Sequence, residues 1–274
     1  MLEIIKAIVF GIVEGITEWL PISSTGHMIL LQEIMPLKVS DEFYSMFEVV
    51  IQLGAILAVV VLFFKQIWPF QWKDRSKPVI KKDIFLMWFK IVAACLPAAV
   101  VGVLFDDLLE KYLYNYVTVS IALIVFGVAF LIVENYNKER RPVVTSLDQI
   151  TYKTALIIGM FQLIAAIFPG TSRSGATILG ALLIGVSRTV AAEFTFFLAI
   201  PVMFGASLLK LVKFGFGFTG LEAFILLIGM AVAFGVSMFV LRFLMNYIKK
   251  HDFKVFGWYR IVLGLLVLIY FLIF

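Results

Sequence analysis

Six stretches of the chain are apolar along nearly their whole length and are separated by short polar segments. A helix needs about 20 apolar residues to cross a bilayer core, and these runs are close to that length. They are Val49–Phe64, Ile84–Phe105, Val117–Val133, Ala191–Leu209, Ala223–Leu244 and Phe256–Phe274. The pattern predicts an all-α polytopic membrane protein with six transmembrane helices.

Two further apolar stretches, Ile4–Leu20 and Ala155–Gly185, are broken by Pro, Gly, Ser and Thr. Basic residues concentrate in three loops, Lys65–Lys82, Lys138–Lys153 and Lys249–Lys254, which the positive-inside rule places in the cytoplasm. A single full crossing by either broken stretch would contradict that assignment. We therefore expect both to be re-entrant hairpins, with both chain termini outside.

The sequence also resembles itself at an offset of 148 residues, and both polar breaks coincide at that offset. The aligned pairs include Gly11 with Gly159, Glu14 with Gln162, Pro21 with Pro169, and Ser24 with Ser172. Each half then holds one re-entrant helical hairpin and three transmembrane helices, an odd number of crossings. This predicts an inverted-topology repeat, about 1–135 and 149–274, within one integral membrane domain spanning 1–274.

Composition narrows the possible classes of protein. With 62% hydrophobic residues and a mean hydropathy of +1.05, the chain is too apolar for a soluble domain. The net charge is +5, and the basic residues are concentrated in short loops, a pattern that reports membrane topology. We therefore expect no nucleic-acid partner. Cys95 is the only cysteine, which excludes a disulfide framework and a thiolate metal site.

Two acidic residues in the first broken stretch need a compensating charge. Glu14 and Glu18 are four residues apart and so share a helical face, where like charges repel. A proton, Arg173 or a divalent cation would offset that repulsion. Paired carboxylates beside a phosphate suit Mg²⁺ or Ca²⁺, although the pair could instead hold helices together.

Arg173 stands in the second break, within "PGTSRSGAT" at Pro169–Thr177. A charged side chain at the bilayer centre costs at least ~2.5–3.5 kcal/mol, so it needs a partner or a function. Its planar set of donors, followed by the start of a helix, matches a phosphate group. Pairing with Glu14 or Glu18 to join the two hairpins is the alternative, and the two roles are compatible.

The first break, "PISSTGH", supplies hydroxyls and an imidazole. Ser23, Ser24 and Thr25 are placed to cap a helix that begins near His27. The nearby carboxylates favour an acid/base role for His27, and a serine within reach of a base is a candidate nucleophile. Three more polar residues on apolar spans either support this site or pair helices: Glu48, Gln52 and Glu193.

Several segments together resemble one family. Glu14-x-x-x-Glu18 with "LPISSTGHM", and "PGTSRSGAT" downstream, resemble the two motifs of the undecaprenyl-diphosphatases. "FEVVIQLGAILAVV" at Phe47–Val60 and "GVSR…AAEF" at Gly185–Phe194 are similar to the same family. Its members are bacterial inner-membrane phosphatases associated with bacitracin resistance, and the resemblance covers essentially the whole chain.

The resemblance implies hydrolysis of a C55 isoprenyl diphosphate to the monophosphate on the outer face of the membrane. The product is reused for peptidoglycan, and activity needs a divalent cation. By motif, Glu14 and Glu18 would bind the metal or activate the attacking group, Ser24 would be the nucleophile and His27 an acid/base. Arg173 would bind the diphosphate together with residues of both motifs. These are Ser23 and Thr25 of the first motif and Gly170, Ser172, Ser174 and Thr177 of the second.

The implied partners are the polyprenyl diphosphate and membrane lipids, with a homodimer also possible. The implied location is the bacterial inner membrane, with the site open to the periplasmic face. A secondary transporter or flippase of a phosphorylated lipid is the main alternative, because inverted repeats are typical of transporters. An intramembrane serine protease using Ser24 and His27 would leave Arg173 and both carboxylates unexplained.

Overall fold

The computed structural model describes residues 1–71, 79–215 and 217–273, so the predicted loop residues Lys73, Arg75 and Lys77 lie outside the described part. Within that part the chain forms α-helices and no extended β-strand. The helices are α1 (Leu2–Thr17), α2 (Ser24–Ile34), α3 (Asp41–Val50), α4 (Gln52–Leu62), α5 (Phe64–Ile67), α6 (Lys82–Leu113), α7 (Tyr116–Tyr136), α8 (Tyr152–Ile167), α9 (Arg173–Leu183), α10 (Arg188–Phe214), α11 (Gly220–Tyr247) and α12 (Lys254–Ile273).

Six spans in the described residues are long and apolar enough to cross a membrane, which confirms the predicted number. Five of them correspond to predicted runs with ends shifted by a few residues. The first span differs more, since it runs from Asp41 to Leu62 through α3 and α4, whereas the sequence predicted a start at Val49. Ser40 caps this helix by accepting a hydrogen bond from the Phe43 N–H at 3.2 Å. The polar residues of its first turns hid that start from a prediction based on apolar runs.

The first helical hairpin is larger than predicted. Ile4–Leu20 was expected to contain a whole hairpin, but α1 fills it almost completely, and α2 forms the second arm. The open ends of the two arms meet, because Lys6 Nζ donates to the Pro36 carbonyl at 2.5 Å and the Lys38 N–H donates to Glu3 at 2.8 Å. The chain therefore leaves the first hairpin on the same side of the molecule on which it entered.

The second hairpin, formed by α8 and α9, closes in a comparable way. The segment before α8 lies beside the residues that follow α9. The Val143 N–H donates to the Gly185 carbonyl, and the Ser187 N–H donates to the Val144 carbonyl, both at 2.8 Å. This hairpin also begins and ends together, with its loop at the far end.

Each hairpin packs its first helix against a long helix from the other half of the sequence. Helix α1 lies along α11, and α8 lies along α6. Glycines allow both contacts: a Cβ at Gly11 would lie 2.6 Å from the Gly229 carbonyl oxygen, and one at Gly159 would overlap the backbone of Ala94. Close contact through small residues is a standard way for membrane helices to associate. The interleaving brings the two hairpin loops to the same depth in the interior.

The loop after α1 is held by an aromatic contact. The Trp19 side chain is fully buried and meets Phe196 of α10 edge to face, with ring centroids 5.4 Å apart. This contact fixes the residues on either side of Trp19, including Glu18, against α10.

Candidate active site

Both hairpin loops end at a serine with an unusual backbone conformation. Ser23 has φ 73° and Ser172 has φ 69°, and they are the only non-glycine residues with positive φ in the described part of the chain. Each side chain caps the helix that follows, accepting from the Gly26 N–H at 3.3 Å and from the Gly175 N–H at 3.1 Å. Left-handed φ at a non-glycine residue costs energy and is concentrated at functional sites. Helices α2 and α9 therefore begin at two matching, strained turns.

The carboxylate of Glu18 joins the two loops. Its Oε1 accepts a hydrogen bond from Arg173 Nη2 at 3.0 Å, and its Oε2 accepts one from Ser24 Oγ at 2.8 Å. The other terminal nitrogen of Arg173 donates to the Thr195 carbonyl of α10 at 3.1 Å. Glu18 is only 6% exposed, so its charge depends on these partners. The structure thus brings together an acid, a hydroxyl and an arginine that the sequence places in two distant motifs.

A cavity of about 140 Å³ lies at this junction. It is lined by Glu18, Ser24, Thr25, Gln52, Gly170, Ser172 and Arg173, together with apolar residues of α8 and α10. Helices α2 and α9 both start at its wall. The first N–H groups of a helix have no partner within the helix, and they carry the positive end of its dipole. Two helix starts and a guanidinium give the cavity the properties of a phosphate-binding site.

Three of the predicted substrate-binding residues do not line this cavity, and one of them is Ser23, which caps α2. Ser174 is buried, and its hydroxyl donates to the Glu18 carbonyl at 3.0 Å. Thr177 is fully buried and donates to the Arg173 carbonyl of its own helix at 2.9 Å, while Thr195 donates to it at 2.9 Å. The hydroxyls of Ser174 and Thr177 therefore hold α9 against the first loop and against α10, and the motif alone does not distinguish this role from ligand binding.

His27 also faces away from the cavity. Its Nδ1 lies 2.7 Å from the Ser23 carbonyl, and its Nε2 lies 2.7 Å from the Tyr259 hydroxyl of α12, with the two rings stacked. A carbonyl only accepts, so Nδ1 carries the hydrogen and a neutral His27 accepts from Tyr259. The Ser24 hydroxyl donates its hydrogen bond to Glu18 instead. The Ser24–His27 pair required for a serine protease is thus not formed.

Glu14 is buried one helical turn before Glu18, and neither of its carboxylate oxygens has a hydrogen-bond partner. The amide of Gln162, which the sequence repeat aligns with Glu14, is buried without a partner in the same way. No three His, Cys, Asp or Glu side chains converge as a metal-binding group in the described residues.

Comparison with known proteins shows the family of this chain. The family model for "Bacitracin resistance protein BacA" matches residues 7–266. This chain belongs to the BacA family. The undecaprenyl-diphosphatase of Desulfitobacterium hafniense (strain DSM 10664 / DCB-2) is 66% identical over 271 residues, covering 99% of this chain and 97% of the relative. Those of Enterococcus faecalis and Acetivibrio thermocellus are each 63% identical, covering 98% and 99% of this chain and 97% and 99% of the relatives.

One residue of this BacA-family site was missed by the sequence analysis. Arg260 of α12 is fully buried and reaches the backbone of both loops. Its Nη1 donates to the Pro21 carbonyl at 3.2 Å, and its Nη2 donates to the carbonyls of Gly170 and Thr171 at 3.0 and 2.7 Å. A charged residue inside an apolar span is by itself a reason to expect function, and that signal was available in the last span.

The three additional polar residues have separate positions. Glu48 accepts from the Tyr114 hydroxyl and lines a second cavity of about 430 Å³, here called the polar vestibule, which Thr25 and Lys210 also line. Gln52 lines both the vestibule and the small cavity. Glu193 lines a different cavity, with Asp83 and Lys90. Glu48 and Gln52 therefore belong to the approach to the site, and Glu193 does not.

Proposed function

We propose that this protein is an undecaprenyl-diphosphate phosphatase that releases the terminal phosphate and leaves the lipid monophosphate. The observation that carries the proposal is the sharing of the Glu18 carboxylate between Ser24 and Arg173. Relatives at 63–66% identity bear the name undecaprenyl-diphosphatase, which supports the substrate. Recycling of the carrier for wall synthesis and resistance to bacitracin would follow from this activity.

Ser24 is the proposed nucleophile. Its Oγ attacks the terminal phosphorus, the bridging P–O bond to the lipid monophosphate breaks, and the serine proton passes to Glu18 Oε2 at 2.8 Å. Water then hydrolyses the phosphoserine and releases inorganic phosphate. A water activated by Glu18 in place of Ser24 is the competing route.

Arg173 and the starts of α2 and α9 are proposed to hold the phosphate oxygens. Phosphoryl transfer asks mainly for positioning and for neutralisation of charge on those oxygens. Arg173 lines the small cavity and is anchored there by the Thr195 carbonyl at 3.1 Å and by Glu18 at 3.0 Å. A fixed donor needs no reorganisation when charge develops in the transition state. The anchored guanidinium should therefore stabilise the transition state better than a mobile cation would.

A divalent cation, Mg²⁺ or Ca²⁺, fits the donors present. Both carboxylate oxygens of Glu14 are buried without a hydrogen-bond partner, and the nearby carboxylate of Glu18 interacts with Glu14 electrostatically. Mg²⁺ commonly takes one or two carboxylates and completes its shell with water and substrate phosphates. When bound by Glu14 and Glu18, the cation would neutralise charge on the diphosphate. We expect EDTA to abolish phosphate release and added Mg²⁺ to restore it.

The proposed orientation places the polar vestibule on the outer side of the membrane. The three basic loops mark the cytoplasmic side by the positive-inside rule. The vestibule is lined by residues near the start of α3 and by Tyr114 in the α6–α7 connection, which lie toward the opposite ends of their helices from the first basic loop. An inverted repeat of about 1–135 and 149–274 is supported by the matching serine turns and by the exchanged contacts of α1 with α11 and α8 with α6.

The deciding experiment is phosphate release from a C55 diphosphate by the purified protein in detergent. Because a transporter or flippase needs two compartments, turnover in micelles is expected only of an enzyme. Wild-type protein should release one phosphate per lipid, and Arg173→Ala should not. If the wild-type protein binds the lipid diphosphate without cleaving it, the transport alternative replaces this proposal.

A further inference from the structure

An apolar cleft of about 530 Å³ opens between α6, α8 and α10. Small residues on all three helices leave this space free, among them Ala99, Gly102, Ala165, Gly205 and Ala206. A Cβ added at Gly102 or at Gly205 would meet no atom within 4 Å. The volume falls in the ~300–1,000 Å³ range of pockets that hold small molecules.

The inner end of the cleft is continuous with the small polar cavity. Arg173 lines both spaces, and so do Ala165, Val202 and Ala206. The Gln162 amide also lines the cleft, and it is 2% exposed with no hydrogen-bond partner on its oxygen or its nitrogen. The Nε of Arg173 is likewise buried without a partner. Polar groups with unused hydrogen-bonding capacity thus point to a ligand at this inner end.

The outer side of the cleft is apolar and accessible. Val92, Leu96 and Val103 line it and are 48%, 56% and 66% exposed. They belong to a membrane span, so their exposed faces adjoin lipid rather than water. A ligand that enters here is an apolar chain that comes from the bilayer.

We propose that this cleft binds the beginning of the polyprenyl chain while its diphosphate lies at Arg173. The inference rests on the proposed phosphatase function and adds the path of the tail. The cleft adjoins the polar vestibule, because Gly102 and Lys210 line both spaces. In this proposal the lipid chain leaves the site through the cleft toward the bilayer, and inorganic phosphate leaves through the vestibule past Glu48 and Tyr114. The remainder of a C55 chain stays in the surrounding lipid.

Protection of an introduced cysteine tests occupancy without relying on catalysis. In a Cys95→Ala background, Gly205→Cys places a thiol in the cleft at a residue that does not line the vestibule, and Gly235→Cys places one on α11. Gly235 is the matched control because a Cβ there also meets nothing within 4 Å. Each protein in detergent is alkylated with a maleimide in the presence of undecaprenyl phosphate, phosphatidylglycerol or inorganic phosphate.

We expect undecaprenyl phosphate to slow alkylation at position 205 by at least about fivefold and to leave position 235 unchanged. Phosphatidylglycerol and inorganic phosphate should protect neither position. Equal protection by phosphatidylglycerol would make the cleft an ordinary lipid-facing groove. That result, or no protection at position 205, overturns the proposal.

Filling the cleft tests its use in turnover. Gly205→Phe should raise KM for undecaprenyl diphosphate about tenfold or more, with a much smaller change for dimethylallyl diphosphate, which lacks the long chain. Gly235→Phe should behave as wild type. An unchanged KM in the folded Gly205→Phe variant contradicts the cleft assignment and leaves the proposed function intact. Absence of phosphate release by the wild-type protein contradicts the proposed function, and the alkylation experiment then still tests whether the cleft binds the lipid.

Discussion

Ser23 and Ser172 adopt the same conformation in the two hairpin loops, with φ of 73° and 69° and with each hydroxyl capping the helix that follows. The two positions are 149 residues apart, whereas the upstream glycines and prolines match at 148. One residue, Ile22, separates Pro21 from Ser23, whereas two residues separate Pro169 from Ser172. Ser24 therefore occupies the position of Arg173 in the other half, so the nucleophile candidate and the phosphate-binding candidate are structural counterparts.

The strained turn predicts an unusual order of stability at position 172. Ser172→Ala loses the cap, which is worth about 1 kcal/mol, and retains the left-handed strain. Ser172→Gly also loses the hydroxyl but relieves a strain of roughly 1–2 kcal/mol. We expect Ser172→Ala to lower the free energy of unfolding by about 1 kcal/mol, and Ser172→Gly to leave it nearly unchanged, in denaturant titrations of detergent-solubilised protein.

Thr151 supplies the control for that comparison, because it caps α8 with an ordinary φ of −88°. At each position we compare the free energy of unfolding of the Gly variant with that of the Ala variant. This difference should be smaller at position 151 than at position 172 by about 1 kcal/mol. Equal differences at the two positions would mean that the turn at Ser172 stores no strain.

The architecture was predictable where the physical cause is local. Long apolar runs gave six spans, and Pro, Gly and Ser marked both loops. The 148-residue offset paired Ser24 with Ser172, whereas the cap positions pair Ser23 with Ser172, because the second loop has one more residue between its proline and its serine. The positions of Thr177 and His27 depend on partners in other helices, Thr195 and Tyr259, and no local pattern specifies those contacts.

Arg173 should be irreplaceable by lysine. Its fork reaches Glu18 and the Thr195 carbonyl together, and a single ammonium cannot keep both contacts and also bind phosphate. Loss of one such donor costs about 10²–10³-fold in rate. We expect kcat to fall about 10²-fold in Arg173→Lys and at least about 10³-fold in Arg173→Ala, measured by phosphate release. Arg242→Ala on exposed α11 surface is the control, and near wild-type turnover by Arg173→Lys would refute the bidentate role.

Ser24 should become phosphorylated during turnover. Acid quenching of wild-type protein with substrate labelled in the terminal phosphate is expected to leave label on Ser24, since its hydroxyl already donates to Glu18 at 2.8 Å. Ser24→Ala should lose the label and at least about 10³-fold in kcat. Ser23→Gly removes the neighbouring hydroxyl and should still be labelled. Substantial turnover by Ser24→Ala would favour direct attack by water.

Arg260 is expected to act by positioning both loops. It has no acidic partner among its described contacts, and its charge is met by three carbonyls, those of Pro21, Gly170 and Thr171. Arg260→Met would leave these buried acceptors unpaired, at about 1–3 kcal/mol for each unsatisfied group. Arg260→Lys keeps the charge but spans fewer of the carbonyls.

A purely structural role and a positioning role give different kinetics for Arg260→Lys. If Arg260 sets the distance between Ser24 and Arg173, the folded Lys variant should lose about tenfold or more in kcat with KM nearly unchanged, because ground-state binding persists while the reacting groups are misaligned. If it only stabilises the fold, the purified folded variant should retain wild-type kcat and unfold at lower denaturant concentration. Spectroscopic distances between labels placed on the two loops should lengthen only in the first case.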